Sequence, residues 1–409
     1  MSGKVHILFL SELFYPHGGG AEFATYLYAK LLSESGYDVI VVTNRFPQEH
    51  GVSKNEGFII YRIPLFKLGG SLKYSTLRRF DVLFSSFMKR LMRWADVVYI
   101  PRRWYSAIPL AKTYKKPVIT HLHDYFPFCP LATLYNQMNE TICYRMGRCS
   151  ANCIYFFEAQ AGKLRRTFTS TLLNATARSF LIRMLKLSDS IICVSKYQKN
   201  ILANYSQSIK EKAQVIYNPI PPLSHIDLEG DDFGYFGGPN YLKGFEVLRR
   251  ALTLLKNTSI RVHATNFPHL QATRLAGSLQ KLGIVLYDRL ERSKHPWLYR
   301  KIRAVLVPSI VAETWSYVVT EAILRGRVVV ASRIGGIPEQ TRGCKGVFLF
   351  EPGNFRELAE EIEYISSLPR EVMSAMGAQN KEEFINNFSN QKSLEAFSEL
   401  CNRLLENSK

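Results

Sequence analysis

Two acids eight positions apart, Glu313 and Glu321, sit in the stretch VPSIVAETWSYVVTEAILRG, residues 307–326. Glu313 follows the apolar run AVLVPS in a short loop. Glu321 falls inside an expected helix that starts near Thr314 or Ser316, either of which can cap it. Val318, Val319, Ala322 and Ile323 form the expected buried stripe of that helix. Eight residues at helical rise span about 12 Å, comparable to the reach from a ribose to a hexose across a pyrophosphate. A carboxylate can accept two hydrogen bonds from vicinal hydroxyls. A helix N-terminus between the two acids would turn its free N–H groups and positive dipole toward phosphates. The pair therefore suits a polyhydroxyl ligand with an anionic centre, although on spacing alone two solvated surface acids fit as well.

Other segments could join such a site. His123 ends the apolar run PVITHLH, and Asp124 follows it. If that run is a strand, His123 stands at a carboxyl edge, where α/β proteins bind ligands. His121 is expected on the opposite face, so that only one of the two histidines meets the edge. Gly18, Gly19 and Gly20 lie between an expected strand and helix, where backbone N–H groups can reach an anion. A tight turn is the plainer reading of the same triplet. Cys129, Cys143, Cys149 and Cys153 fall within 25 residues. Four thiolates could hold a structural zinc, but their spacing is not the paired two-apart pattern, and disulfides or free thiols fit equally.

The elements that must position these residues are legible as alternating patterns. VHILFL, a glycine turn, the helix AEFATYLYAKLLSESG with Phe23, Leu27 and Leu31 on one stripe, and DVIVVT open a doubly wound α/β sheet. DVVYI, PVITHLH, SIICVS and AQVIYN fit further parallel strands. The prolines and acids of PIPPLSHIDLEGDD, residues 219–232, suggest a linker. A second series follows in FGYFGG, IRVHATN, IVLYDRL, AVLVPS, VVVASR and GVFLF. The expected organisation is an N-terminal domain over 1–218, the linker 219–232, a second domain over 233–380 and a terminal helix over 381–409.

Composition narrows the function classes. The 409 residues are 46% hydrophobic and carry a formal charge of +19. Residues 1–222 hold 29 basic and 13 acidic side chains; the remainder hold 24 and 21. The first half is thus expected to meet something anionic. No apolar run is long enough for a transmembrane helix, and the start lacks the h-region of a signal peptide. Cytoplasmic location is expected. Residues 75–94, STLRRFDVLFSSFMKRLMRW, put Leu77, Phe80, Phe84, Phe87 and Leu91 on one helical stripe amid Arg78, Arg79, Lys89, Arg90 and Arg93. That pattern fits an interfacial helix on an anionic membrane, as does the basic, acid-free stretch 161–187. No nucleic-acid-binding motif is present.

The segment PSIVAETWSYVVTEAILRGRVVVASRIGGIPE resembles the signature of the family 4 retaining glycosyltransferases, through Pro308, Ser309, Glu313, Trp315, Glu321, Ala322, Gly326, Gly335, Gly336, Pro338 and Glu339. FYPHGGGAE, HLHDYFPFCP, YFGGPNYLKGFEVLRRAL and the tail FSNQKSLEAFSELCNRLLE resemble the family's glycine loop, His-Asp segment, phosphate loop and terminal helix, in the right order. The resemblance implies the GT-B fold: two Rossmann-like, doubly wound parallel-sheet domains facing a cleft, the first binding acceptor and the second binding donor. It implies a UDP- or GDP-sugar donor, a lipid-linked or glycan acceptor, and no metal for catalysis. By the same resemblance Glu313 contacts the donor sugar, Glu321 the ribose, Lys243 the diphosphate, and His123 the donor sugar beside the reaction centre. Asp124 orients that histidine or the acceptor hydroxyl. Gly19, Gly20, Gly238, Ser316 and Tyr317 line the nucleotide-sugar. Two departures stand out: Ser316 replaces a usual Gly, and Gly238 replaces a usual Arg, for which Arg325, Arg333 or Arg342 is a candidate substitute, the sequence not choosing among them. An epimerase of the same fold and a non-catalytic nucleotide-sugar-binding protein are the alternatives; the first would turn over donor without acceptor, the second would bind donor without turnover.

Overall fold

The computed structural model describes residues 4–65, 80–129, 131–136, 138–143, 153, 178–257, 259–268, 274–290 and 294–407. The chain divides into two compact units, Met1–Ile220 with Ser389–Lys409, and Pro221–Phe388.

In the first unit the strands are β1 (His6–Leu10), β2 (Asp38–Asn44), β3 (Val52–Asn55), β4 (Phe58–Ile63), β5 (Val97–Ile100), β6 (Val118–Leu122), β9 (Ser190–Cys193) and β10 (Ala213–Val215). A separate two-stranded ribbon is formed by β7 (Tyr135–Asn136) and β8 (Thr141–Ile142). The main sheet runs β10-β9-β6-β5-β1-β2-β4-β3. It is parallel except for the hairpin β3–β4. The hairpin turns on Glu56 and Gly57, both at positive φ, the backbone a two-residue turn between twisted strands requires. Successive residues of β1 face opposite ways. Leu8 and Leu10 enter one apolar cluster with Val98, Ile100, Met88 and Met92. Ile7 and Phe9 enter another with Tyr28, Tyr99 and, from the helix Asn390–Glu406, Phe397, Leu400 and Leu404. Burial on both faces is why these strands read as continuous apolar runs.

The second unit holds β11 (Asp232–Tyr235), β12 (Val262–Ala264), β13 (Ile284–Leu286), β14 (Ile302–Val307), β15 (Val328–Ser332) and β16 (Val347–Phe350). Its order is β13-β12-β11-β14-β15-β16, all parallel. Its core joins Phe233, Tyr235, Val262, Leu306, Val328 and Val330 to Leu248 and Ile362 of the flanking helices.

Several expectations need correction. The expected linker is not free-standing: Ile226 N–H bonds Arg325 O, Glu229 N–H bonds Arg300 O, and Asp227 O accepts from Arg327, so its backbone is fastened to the second unit. The helix Arg370–Asn387 continues through the expected 380/381 boundary. In the Gly20–Glu34 helix the apolar stripe passes through Leu32 rather than Leu31. The basic stripe of residues 75–94 is not one helix. Ser85 ends Phe80–Phe84 and caps Ser86–Trp94 by accepting from Met88 N–H. That break turns Leu91 and Phe87 into the core with Val82, Leu83 and Met88, and leaves Phe84 exposed. Leu77 and residues 154–177 lie outside the described residues.

Candidate functional site

In a doubly wound sheet, ligands sit at the carboxyl edge where the strand order reverses. In the second unit that point lies between β11 and β14. The loop after β11 carries Lys243 and the loop after β14 carries Glu313, and their side chains meet: Lys243 Nζ donates to Glu313 Oε1 at 2.6 Å. Ser309 Oγ donates to the same oxygen at 2.8 Å. Glu313 is 12% exposed at its side chain and Lys243 44%, so the cation is the accessible partner. Backbone holds the carboxylate in place. Gly336 N–H donates to Glu313 O at 2.7 Å. Gly335, at φ +62, lets that carbonyl approach so closely that a Cβ there would overlap it.

The helix is Tyr317–Leu324, with Ser316 as its cap through a hydrogen bond from Val319 N–H to the Ser316 hydroxyl. Tyr317, at its first position, is buried. The expected apolar stripe is incomplete as a description, since Thr320, Glu321 and Leu324 are buried as well and Val318 only half-buried. Gln340 secures the helix start: it accepts from Ser316 N–H and donates to Ser316 O and the Thr320 hydroxyl. Glu321 lies one turn into this helix, whereas Glu313 stays in the loop before it; Glu321 is 8% exposed, with His295 Nδ1 at 3.7 Å from its Oε2. Trp315 packs on Phe384 and Phe388.

Gly238 is a backbone requirement. It is buried at φ +64, and a Cβ there would stand 3.0 Å from Asn266 O, so a side chain at this position, the usual arginine included, would be strained. Of the three suggested substitutes, Arg325 is buried over the Tyr299 ring. Arg333 bonds Leu349 O and pairs with Glu351. Arg342 is exposed.

In the first unit the strand order reverses between β1 and β5. Four charged residues at that edge were not singled out from sequence. Glu12 follows β1, Arg102 and Arg103 follow β5, and Glu22 lies in the first turn of the Gly20–Glu34 helix. Arg102 Nη2 reaches Glu22 Oε1 at 2.9 Å and its Nε reaches Glu12 Oε1 at 3.4 Å. Arg103 donates its backbone N–H to Glu12 Oε2 and its Nη2 to Asp124 Oδ2, each at 3.0 Å. Burial alone would weaken the Arg102 proton, but Glu22, Glu12 and Asp124 more than offset it. Burial pushes the Asp124 carboxyl up, and Arg103, Arg102 and the Phe126 N–H overcome this and hold it below the usual range. Gly19 caps the helix, but its N–H already donates to Glu22 Oε2 at 2.7 Å. Gly20 is the first helical residue.

His121 and His123 are not on opposite faces. Residues two apart in an extended chain share a face, and the two rings stack with centroids 4.2 Å apart. His121 is fully buried, its Nδ1 bonded to the Tyr99 hydroxyl at 2.6 Å. Burial, reinforced by Arg102, pushes His123 down to about 3, and burial holds His121 well below its ordinary value, so both rings are neutral.

Cys129 is buried, Cys143 and Cys153 are half-buried, and Cys149 lies outside the described residues. Among the described residues no three His, Cys, Asp or Glu side chains converge to hold a metal. No helix among them is long and apolar enough to cross a membrane.

Comparison with known proteins agrees with this layout. Residues 18–222 match the model of Glycosyltransferase Family 4, and residues 230–367 that of Glycosyl transferases group 1. An uncharacterized 42.6 kDa protein in the cps region of Klebsiella pneumoniae is 23% identical over 402 residues, covering 89% of this chain and 92% of that one. An uncharacterized glycosyltransferase of Methanocaldococcus jannaschii is 30% identical over 221 residues, covering 50% of this chain and 57% of that protein. Among solved structures, sucrose-phosphate synthase from Thermosynechococcus elongatus superposes with TM-score 0.74 at 15% identity, over 99% of this chain and 100% of that one. Anabaena HepE in complex with UDP-glucose gives 0.64 at 17%, over 96% and 99%.

Proposed function

The chain belongs to glycosyltransferase family 4, with the GT-B fold, and from that premise we propose that it moves a sugar from a nucleoside-diphosphate sugar to a hydroxyl acceptor, with retention at the anomeric carbon. The observation that carries the reading is the Lys243–Glu313 pair at the switch point of the second sheet. An accessible cation beside a fixed carboxylate suits a ligand that presents an anionic diphosphate next to sugar hydroxyls.

In this reading Lys243 turns to the diphosphate and stabilises the charge that develops as it leaves. Glu313 accepts from donor-sugar hydroxyls and Glu321 from the ribose. The backbone at Gly238, Ser316 and Tyr317 completes the donor contacts. His123, neutral, hydrogen-bonds the transferring sugar, and Asp124 orients it or the acceptor. Gly19 and Gly20 were expected to offer N–H groups to the nucleotide-sugar; with Gly19 N–H on Glu22, their part is to shape the loop. Retention follows a front-face course. The bond from the anomeric carbon to the phosphate oxygen breaks, the acceptor oxygen bonds to the same face, and its proton passes to the departing phosphate.

UDP is the first donor to test, since similar structures were solved with UDP or UDP-glucose. The acceptor is a glycan or lipid-linked glycan, approached from an anionic membrane surface by the basic first unit, where Phe84 stands exposed at the end of its short helix, just before the helix of Lys89, Arg90 and Arg93. A calorimetric screen of UDP- and GDP-sugars, followed by NMR of the product anomer, tests the proposal. Absence of binding by every nucleotide-sugar, or an inverted product, would overturn it.

A further inference from the structure

The carboxyl edge of the first unit shows what kind of acceptor it can take. This inference rests on the reading above, in which that unit binds acceptor. Two features there could hold a phosphate: the N-terminus of the Gly20–Glu34 helix and the Arg102 guanidinium. One side chain reaches both. Glu22 Oε2 accepts the Gly19 N–H at 2.7 Å, and Glu22 Oε1 pairs with Arg102 at 2.9 Å. Glu22 is 3% exposed, so this is a built-in counter-anion rather than a surface contact. Glu12, 1% exposed, takes the remaining side of Arg102 and the backbone of Arg103. Asp124 takes the Arg103 guanidinium. Three carboxylates face two guanidiniums, leaving one net negative charge, and His123 beside them is neutral.

We infer that Glu22 is a specificity-determining residue that excludes phosphate-bearing acceptors, so that the group entering this edge is an uncharged sugar or polyol. An incoming phosphate would have to displace a buried carboxylate from its two partners and then sit beside two more acids. A neutral hydroxyl group meets no such cost, and Asp124, whose side chain is 27% exposed, can accept from it. A glycan carried on a lipid satisfies this condition at its terminal sugar, far from any phosphate of the carrier.

The test uses the full chain and two separate calorimetric titrations. UDP is titrated first and reports on the donor reading. Inorganic phosphate and glucose 6-phosphate are then titrated into protein saturated with UDP, which occupies the second unit's diphosphate site. Wild type should show no saturable binding through the millimolar range. Glu22→Gln, which keeps the side-chain shape and removes the charge, should bind either phosphate at least about tenfold more tightly. Glu12→Gln, which leaves the helix cap untouched, should move the same way and serves if Glu22→Gln does not fold. Submillimolar phosphate binding by wild type, or folded variants with unchanged phosphate affinity, overturns the inference. Failure of the UDP titration alone sinks the donor reading; the phosphate titrations are then run without UDP, and the difference between wild type and Glu22→Gln still decides the inference.

Discussion

Replacing Lys243 by Met and Glu313 by Gln should move nucleotide affinity in opposite directions, although the two residues share one hydrogen bond. In the unliganded protein Lys243 Nζ sits 2.6 Å from Glu313 Oε1. With 44% of its side chain exposed, the lysine contributes little to folding through that pair, about 0–1 kcal/mol. Lys243→Met should therefore lower Tm by no more than about 4 °C. Its bond to the diphosphate is charge-assisted and worth about 1.5–3 kcal/mol, so UDP affinity should fall about 10- to 150-fold. Uridine, which lacks the diphosphate, should bind both proteins alike. Glu313→Gln removes the anion that competes for Lys243 and should tighten UDP by about two- to fivefold, the value of a half-exposed pair. The same variant should lose about 100-fold or more in sugar transfer. Titration calorimetry with UDP and uridine decides the matter. If Lys243→Met weakens uridine as much as UDP, the lysine acts only through folding of its loop. If Glu313→Gln weakens UDP, the carboxylate is not an internal competitor.

Glu321→Ala should weaken UDP and uridine together, by about tenfold or more, because the bond it removes is to the ribose; unchanged uridine binding would refute the ribose role. Stability should fall with acidity through His123. Its folded pKa is lowered to about 3, so the unfolded chain binds the extra proton. The stabilisation is complete above the unfolded value of about 6.5 and is lost as pH drops toward 3. Near pH 5 this amounts to about 2 kcal/mol, or about 4–8 °C in Tm, with His121 adding in the same direction; His123→Gln should flatten the curve, and an identical curve in the variant counts against it. Gln340→Leu strands Ser316 N–H, while Ser316 O and the Thr320 hydroxyl keep their bond to each other, and should cost about 1–3 kcal/mol, read as a lower denaturant midpoint. Vesicle co-sedimentation should show binding to anionic but not neutral membranes at low salt, abolished by high salt; equal binding to both would remove the electrostatic docking.

The strands of both sheets were legible because parallel strands covered on two faces become unbroken apolar runs, as in β14 and β15. The hairpin β3–β4 carries no alternating signal: its turn residues, Glu56 and Gly57, sit between VSKN, with a single apolar residue, and the nearly unbroken apolar run FIIYRI. Glu313, Glu321 and Lys243 could be picked out because each belongs to a local motif. Glu12, Glu22, Arg102 and Arg103 could not, since they come from three separate turns and meet only through the strand order. The available signal was position: Glu12 and Arg102 each stand two residues past a strand, on the side where ligands bind. Periodicity misled twice. It placed His121 and His123 on opposite faces when a two-residue repeat puts them on one, and it ran a single helical stripe across Ser85, whose hydroxyl caps a new helix.

The helix Asn390–Glu406 has a consequence for how the chain is made. Its Phe397, Leu400, Cys401 and Leu404 cover Ile7, Phe9, Val97 and Tyr99 of the first sheet and Tyr28 of the Gly20–Glu34 helix. Those residues are therefore synthesised first and covered last. The second unit, contiguous from Pro221 to Phe388, has all its residues in hand before the first unit receives its closing helix. Through most of translation an apolar sheet face waits for a segment not yet emerged from the ribosome, the kind of surface that aggregates or recruits chaperones. Vectorial synthesis here does not complete domains in the order in which they begin. A ribosome stalled before residue 390 would hold a fully synthesised second unit joined to a first unit that still lacks its closing helix.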